Sequence, residues 1–431
     1  MTTDPWTRAL TPGAPIPHTA PTEHRTRPGH AVPRTLLPAP EGLTQPAVFD
    51  PALTQYPNAF RAGDPRFTDE REAHAWFRAR RTALDLVLAA VAGTPLGSRL
   101  VLRGSVLMAT WCGEEAREPG DLDFVAPEGW AFEGSEATAL FPQIAAAAEA
   151  ESASWPDSPV WIDAAGAVTE DIWTYDRVPG HRLLLPWTAP GTAGGTVQID
   201  VVYDEPLAEP AVRTALTPLG DGPTSTLLTV TPGLSLAWKI VWLISDMHPQ
   251  GKDLYDAVLL SELGPVDFDV LWAAFVLSGD VMLRPGGRWW LDEIHDCADV
   301  GWEHFQVEYP HVTCTVDAYH ARLAAALEPV IARAEQDADL PPYERWVRWL
   351  TPLVDRVRAT APTEPARALG RLAGAGLPGA QAAVVVLREV LGPDTVTPEQ
   401  ALDRVLAADE RWEAWRTHAE LRARILAGLT P

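Results

Sequence analysis

The sequence predicts an α+β protein: a mixed sheet with flanking helices, followed by an all-α C-terminal region. Three observations carry this. Alternating apolar positions, the period of a half-buried strand, are confined to roughly residues 98–203. Helical periodicity precedes and interrupts those strands. After Tyr203 helical patterns and loops take over. The 431 residues suffice for two or three domains of roughly 100 to 200 residues each, with no need of disulfide staples.

Residues 1–60 read as a disordered tail, because the first 50 hold ten prolines and three glycines without apolar periodicity. Thr68 to Ala92 follows helical spacing, with Trp76, Phe77, Leu84, Val87, Leu88 and Val91 on one side. Ser98 to Leu102 is a short strand closed by Gly104-Ser105, and Ser105 to Trp111 a helix. Asp121 to Ala126 is the next strand, and Glu136 to Glu149 an alanine-rich helix. Val168 to Tyr175 and His181 to Trp187 form a hairpin around Val178-Pro179-Gly180, and Thr196 to Tyr203 is a further strand. Thr231-Pro232 supplies an N-cap and a first-turn proline for Leu234 to Ser245. Helices are expected at Lys252 to Ser261, Phe268 to Leu277, Val316 to Glu335 and Tyr343 to Arg358. The last runs from the capping box Thr397-Pro398-Glu399-Gln400 to near Gly428. The expected domains are a tail over 1–60, a core over 61–262, a helical domain over 263–360 and a C-terminal extension over 361–431.

Composition narrows the function. A formal net charge of −24 repels polyanions unless a local basic patch overrides it, so nucleic acid is not the default partner. No apolar run approaches the roughly 18 residues of a membrane span, and the first residues lack an apolar signal core. With three scattered cysteines (Cys112, Cys297, Cys314), a cytoplasmic protein without a membrane is expected. Of 34 basic side chains only Lys239 and Lys252 are lysines, which marks both as positions where a compact ammonium is wanted. The 18 tryptophans read as packing anchors, Trp289 and Trp290 after Gly286-Gly287 included.

The chemistry concentrates in Leu100-Val-Leu-Arg-Gly-Ser-Val-Leu-Met followed by Gly120-Asp-Leu-Asp-Phe-Val. Asp121 and Asp123 are one residue apart, so on a strand both carboxylates project from one face and can share a divalent cation. Gly104 lets the chain pass close to an anion, and Ser105 opens a helix whose free N–H groups point at it. Asp200, in Val197-Gln-Ile-Asp-Val-Val, is a strand carboxylate that is costly to bury without a cation or a donor. With the aspartate pair it makes a three-carboxylate set that suits magnesium and activation of an attacking hydroxyl. Lys239 interrupts an apolar helix, and Lys252, Asp253 and Asp256 follow at helical spacing. Arg117 either pairs with Glu114 or Glu118 at the surface or reaches a phosphate. Arg78, Arg80 and Arg81 read as a solvated helix face.

The run Arg-Gly-Ser, Arg, Asp-Leu-Asp-Phe, then Ile-Asp-Val, Leu-Ala-Trp-Lys and Lys-Asp-Leu-Tyr-Asp resembles the AbiEii/AbiGii-type nucleotidyltransferases. These are the toxin halves of abortive-infection and related toxin–antitoxin systems, within the DNA polymerase β superfamily. The resemblance covers about residues 70–262 and implies a nucleotidyltransferase-like mixed sheet. It implies that Gly104 and Ser105 cradle an NTP and that Asp121, Asp123 and Asp200 hold Mg2+, with Asp200 acting on the acceptor. Lys239 would contact phosphates, Lys252 would help bind the nucleotide, and Asp253 and Asp256 would shape the second side of the site. Pro119-Gly120 departs from the serine or threonine often found there, and Lys252 from a common arginine; neither removes a metal ligand.

The expected activity is magnesium-dependent transfer of a nucleoside monophosphate from an NTP to an acceptor hydroxyl, with an antitoxin protein as partner. The acceptor stays open among tRNA, a small molecule such as an antibiotic, and a protein side chain. Between Gly104 and Pro265 six basic residues face 24 acidic ones, near −18, which disfavours a long polyanion unless the arginines of residues 61–103 form a landing strip. A non-catalytic nucleotide- or partner-binding protein is the reading from another class.

Overall fold

The fold is taken from a computed structural model, which describes residue 6 and residues 10–21, 31–156, 158–174, 178–246, 248–279, 285, 292–294 and 300–429. The chain divides into two units. The first comprises Met1–Glu205 and Pro210–Thr231, the second Pro206–Glu209 and Pro232–Pro431. The division expected near residue 262 therefore falls near residue 231, because the two helices after Thr231 pack with the later helices.

The segment expected to be a tail is structured wherever it is described. Trp6, Ile16, Val32, Leu36, Ala39, Ala47 and Phe60 form a buried cluster, and β1 (Ala47–Phe49) pairs antiparallel with β2 (Phe60–Ala62). Its apolar residues are dispersed among prolines, so no period reveals them, yet each proline lowers the entropy lost when the chain is ordered. The segment is also tied to the sheet. The Tyr56 hydroxyl donates to Glu170 Oε1 at 2.6 Å, the Arg34 amide donates to Glu170 Oε2, and Leu53 and Ala59 bury against Ile172.

After β2 come α1 (Glu70–Ala92), β3 (Val101–Arg103), α2 (Ser105–Cys112), β4 (Asp121–Val125) and α3 (Ser135–Ser154). β5 (Trp161–Ile162), β6 (Val168–Thr174), β7 (Val178–Thr188), β8 (Gly195–Val202), β9 (Val212–Ala215) and β10 (Thr226–Thr229) complete the first unit. Asp69 caps α1 by accepting from the Arg71 amide, and the helix buries Leu84, Val87, Leu88 and Val91. The sheet runs β5-β7-β8-β4-β3-β10-β9, with β6 also on β7. It is mixed: β4 and β8 are parallel, as are β3 and β10, while the other pairs are antiparallel. This is the expected α+β, nucleotidyltransferase-like sheet with flanking helices, followed by helices alone.

The second unit opens with α4 (Pro232–Ser245), α5 (Gly251–Glu262) and α6 (Phe268–Ser278). The Tyr255 ring on α5 lies 5.6 Å from that of Tyr319 on α8 (Val316–Glu335), which follows α7 (Trp302–Glu308). The single helix expected over Tyr343–Arg358 is two, Pro342–Trp349 and Thr351–Thr360. Pro352, which has no N–H to donate to the carbonyl four residues back, stands in the first turn of the second helix, where that loss costs nothing. The helix begun by the Thr397–Gln400 capping box ends at Ala408, and shorter helical pieces continue to Ala427. Among the described residues Gly370–Leu391 is long and apolar enough to cross a membrane, which the sequence expectation overlooked; an 18-residue window of it has mean hydropathy 1.2 and is 61% buried inside the protein. Trp289, Trp290, His295 and Cys297 lie outside the described residues.

Candidate active site

Strand pairing assembles the carboxylates. On β4, Leu122 and Phe124 point into the core and are fully buried, which turns Asp121 and Asp123 together to the other face. β8 runs parallel beside it, with Asp121 opposite Gln198 and Asp123 opposite Asp200. Ligand oxygens of Asp121, Asp123 and Asp200 all lie within 4.8 Å of one another. The same register continues across the sheet as one row: Glu170 opposite Arg182, Arg182 opposite Asp200, Asp200 opposite Asp123, Asp123 opposite Arg103. Residues paired in this way project from one face, so acids and arginines share it.

Gly104 and Ser105 sit against this cluster. Gly104 has φ +86°, and a Cβ there would lie 2.4 Å from Asp123 Oδ2, so only glycine fits. The Ser105 hydroxyl, at the start of α2, is 3.5 Å from Asp121 Oδ1. The donor set is three carboxylates, all hard oxygen ligands, and a side-chain-free backbone beside them. That chemistry fits a divalent cation such as magnesium.

Three residues not singled out in the sequence, Arg182, Gln198 and Asp50, surround Asp200. Arg182 donates from Nε to Asp200 Oδ1 and from Nη2 to Asp200 Oδ2, both at 2.8 Å, and from Nη1 to Asp50 Oδ2 at 2.6 Å. Gln198 Nε2 donates to Asp200 Oδ2 at 3.1 Å. Burial raises the Asp200 pKa above the usual carboxylate value, with Asp121 and Asp50 adding to it and Arg182 opposing. Burial also pushes Asp50 upward, but the Arg182 and Arg61 charges and hydrogen bonds from Arg182 and the Ala52 amide bring it below the ordinary value. Burial disfavours the Arg182 charge, and the two carboxylates more than reverse that. Arg182 could have been found from a correct β7–β8 register; Asp50 carried no signal once its segment was read as a tail.

The lysine cluster belongs to the second unit. Lys239 Nζ lies 2.6 Å from Asp253 Oδ1 and 3.2 Å from Asp256 Oδ2, and 5.1 Å from the centre of the Trp242 ring. All three charged groups are buried, Asp256 completely, whereas Lys252 is half-buried on α5. Arg117, for which a surface pair and a phosphate contact were both open, is buried, at 7% exposed. Arg78 pairs with Asp221, Arg80 with Asp64 and Glu118, and Arg81 with Glu118; Arg78 and Arg81 stay on the solvated face, whereas Arg80 is buried.

A mixed sheet with an aspartate pair on one strand, a third aspartate on the parallel neighbour and a Gly-Ser turn into a helix is a nucleotidyltransferase-like arrangement. Residues 86–294, a little under half of the chain, match the family model described as nucleotidyl transferase AbiEii toxin, Type IV TA system. The matched segment contains the three aspartates and the lysine cluster but not Asp50. No curated protein matches the chain.

Proposed function

We propose that the protein is a magnesium-dependent nucleotidyltransferase. It moves a nucleoside monophosphate from an NTP to an acceptor hydroxyl in the cytoplasm, as the toxin opposed by an antitoxin protein. The convergence of Asp121, Asp123 and Asp200 within 4.8 Å carries this reading. These three would hold the cation, which when bound supplies Lewis-acid stabilisation of charge on the phosphates. Gly104 and the first amides of α2 take triphosphate oxygens, and the Ser105 hydroxyl donates to one of them. Asp200 accepts the proton of the attacking hydroxyl at Oδ1: Oδ2 already takes two hydrogen bonds, from Arg182 and Gln198, while Oδ1 takes one. By the resemblance, Lys239 and Lys252 bind the nucleotide, with Asp253 and Asp256 orienting the Lys239 ammonium.

The acceptor is a small molecule or a protein hydroxyl rather than tRNA. Arg78, Arg80 and Arg81 are engaged by carboxylates, and the segment from Gly104 to Pro265 carries a charge near −18. Calorimetry with NTP and magnesium tests the donor half. Asp121→Asn, which removes a ligand from a half-buried site without opening a cavity, is expected to weaken metal-dependent NTP binding while the melting temperature stays within a few degrees. Equal affinity in variant and parent would refute the assignment.

A further inference from the structure

Asp50 approaches the carboxylate site from outside the family-matched segment, and its geometry is over-determined. Its amide donates to the Ala59 carbonyl at 2.9 Å, Oδ1 accepts from the Ala52 amide at 3.0 Å, and Oδ2 is thereby presented to Arg182. Asp50, Arg182 and Asp200 are only 6, 3 and 8% exposed, so the pairing is little screened by solvent. A bidentate arginine on a buried carboxylate, taken alone, cancels its charge. The cost would fall on a cation site that needs three anions. With Asp50 on the remaining nitrogen, the guanidinium charge is matched by a carboxylate that is not a ligand, and the site keeps the net charge of its three aspartates.

We propose that Asp50 is a positioning residue for the cation site: it shares Arg182, so that the guanidinium fixes the orientation of Asp200 without neutralising it. The inference rests on the reading of Asp121, Asp123 and Asp200 as cation ligands. It makes the proline-rich N-terminal segment a working part of the catalytic unit. The anchoring of that segment is separable from this role, because Tyr56 and Arg34 bind Glu170 rather than Arg182.

The test is Mn2+ binding to the full-length protein without nucleotide, followed by the electron paramagnetic resonance signal of the free ion, with thermal melting alongside. Asp50→Asn, nearly isosteric and uncharged, is expected to raise the Mn2+ Kd about tenfold, the scale of losing a partner that orients a ligand. Asp50→Glu, which restores the charge, should recover most of the affinity. Tyr56→Phe, which loosens the segment but leaves Asp50 in place, should lower the melting temperature with an unchanged Kd. A folded Asp50→Asn protein that binds Mn2+ as the parent does would overturn the proposal. So would an equal loss of affinity in Tyr56→Phe, or failure of both Asp50 variants to fold, since either would make Asp50 a packing element. A parent that binds no Mn2+ would overturn the cation-site reading and this inference with it, whereas a binding parent matched by Asp50→Asn removes this inference alone.

Discussion

At Gly104 and Lys239 single atoms decide the outcome. Gly104→Ala places a methyl group where Asp123 Oδ2 stands and forces an L residue to φ +86°. A cost of about 1–3 kcal/mol is expected from the backbone, and displacement of Asp123 should remove most metal-dependent NTP binding; denaturant melts and calorimetry read the two separately. Lys239→Met leaves Asp253 and Asp256 buried with their shared cation gone, which costs about 3–5 kcal/mol and is read from urea unfolding. Lys239→Arg keeps the charge, but its planar fork does not fit a site built round a compact ammonium. Loss of most turnover with a folded protein is expected; full activity in a transfer assay would refute a lysine-specific role. These residues were legible because their meaning lies in short-range spacing: Asp-x-Asp on a strand, Gly-Ser before a helix, lysine inside an apolar helix. Arg182 and Asp50 were not, because one depends on cross-strand register and the other on a fold without periodicity.

At the scale of elements, β7 joins the site to a titratable neighbour. His181, beside Arg182, stacks on Phe132 with ring centres 4.2 Å apart, and its Nδ1 lies 3.1 Å from the Tyr203 hydroxyl. Burial lowers its pKa, with Asp171 opposing. The unfolded histidine binds a proton below about pH 6.5 while the folded one stays neutral, so the unfolded state holds more protons and stability falls as pH drops through that window. The slope has a ceiling of about 1.4 kcal/mol per pH unit. Urea melts from pH 7.5 to 5 should show the decline, and His181→Phe, which keeps the stacked ring and cannot titrate, should flatten it; an unchanged slope would exclude His181 as the source. Helix starts were the most legible elements, since Thr231-Pro232 and Thr397 announce themselves locally. Helix ends were less so. Pro352 was a readable break that the surrounding apolar period masked, and Gly376–Leu391 was hidden because a helix buried on most sides has no polar stripe.

For the molecule as a whole, charge separates the acceptor classes. The net charge is −24, and a tRNA docking through Arg78, Arg80, Arg81 or Arg103 would have to free them from their present partners. Arg80 is almost fully buried and held by Asp64 and Glu118; Arg103 is buried against Glu205. Releasing them would expose the acids as well and gain little net attraction. Each phosphate neutralised releases counterion, so transfer to tRNA should fall steeply with salt, with a logarithmic slope of about −0.7 to −0.9 per contact. A small molecule or a protein hydroxyl makes few such contacts, and transfer to it should depend on salt only weakly. The weak dependence is the expected result. It is measured by incubating the protein with cell extract and labelled NTPs over a salt series and separating RNA, protein and small-molecule fractions. Label concentrated in RNA and lost steeply with added salt would show that exposed arginines such as Arg78 and Arg81 give up their ion pairs to phosphates, and that the acidic surroundings do not select the acceptor.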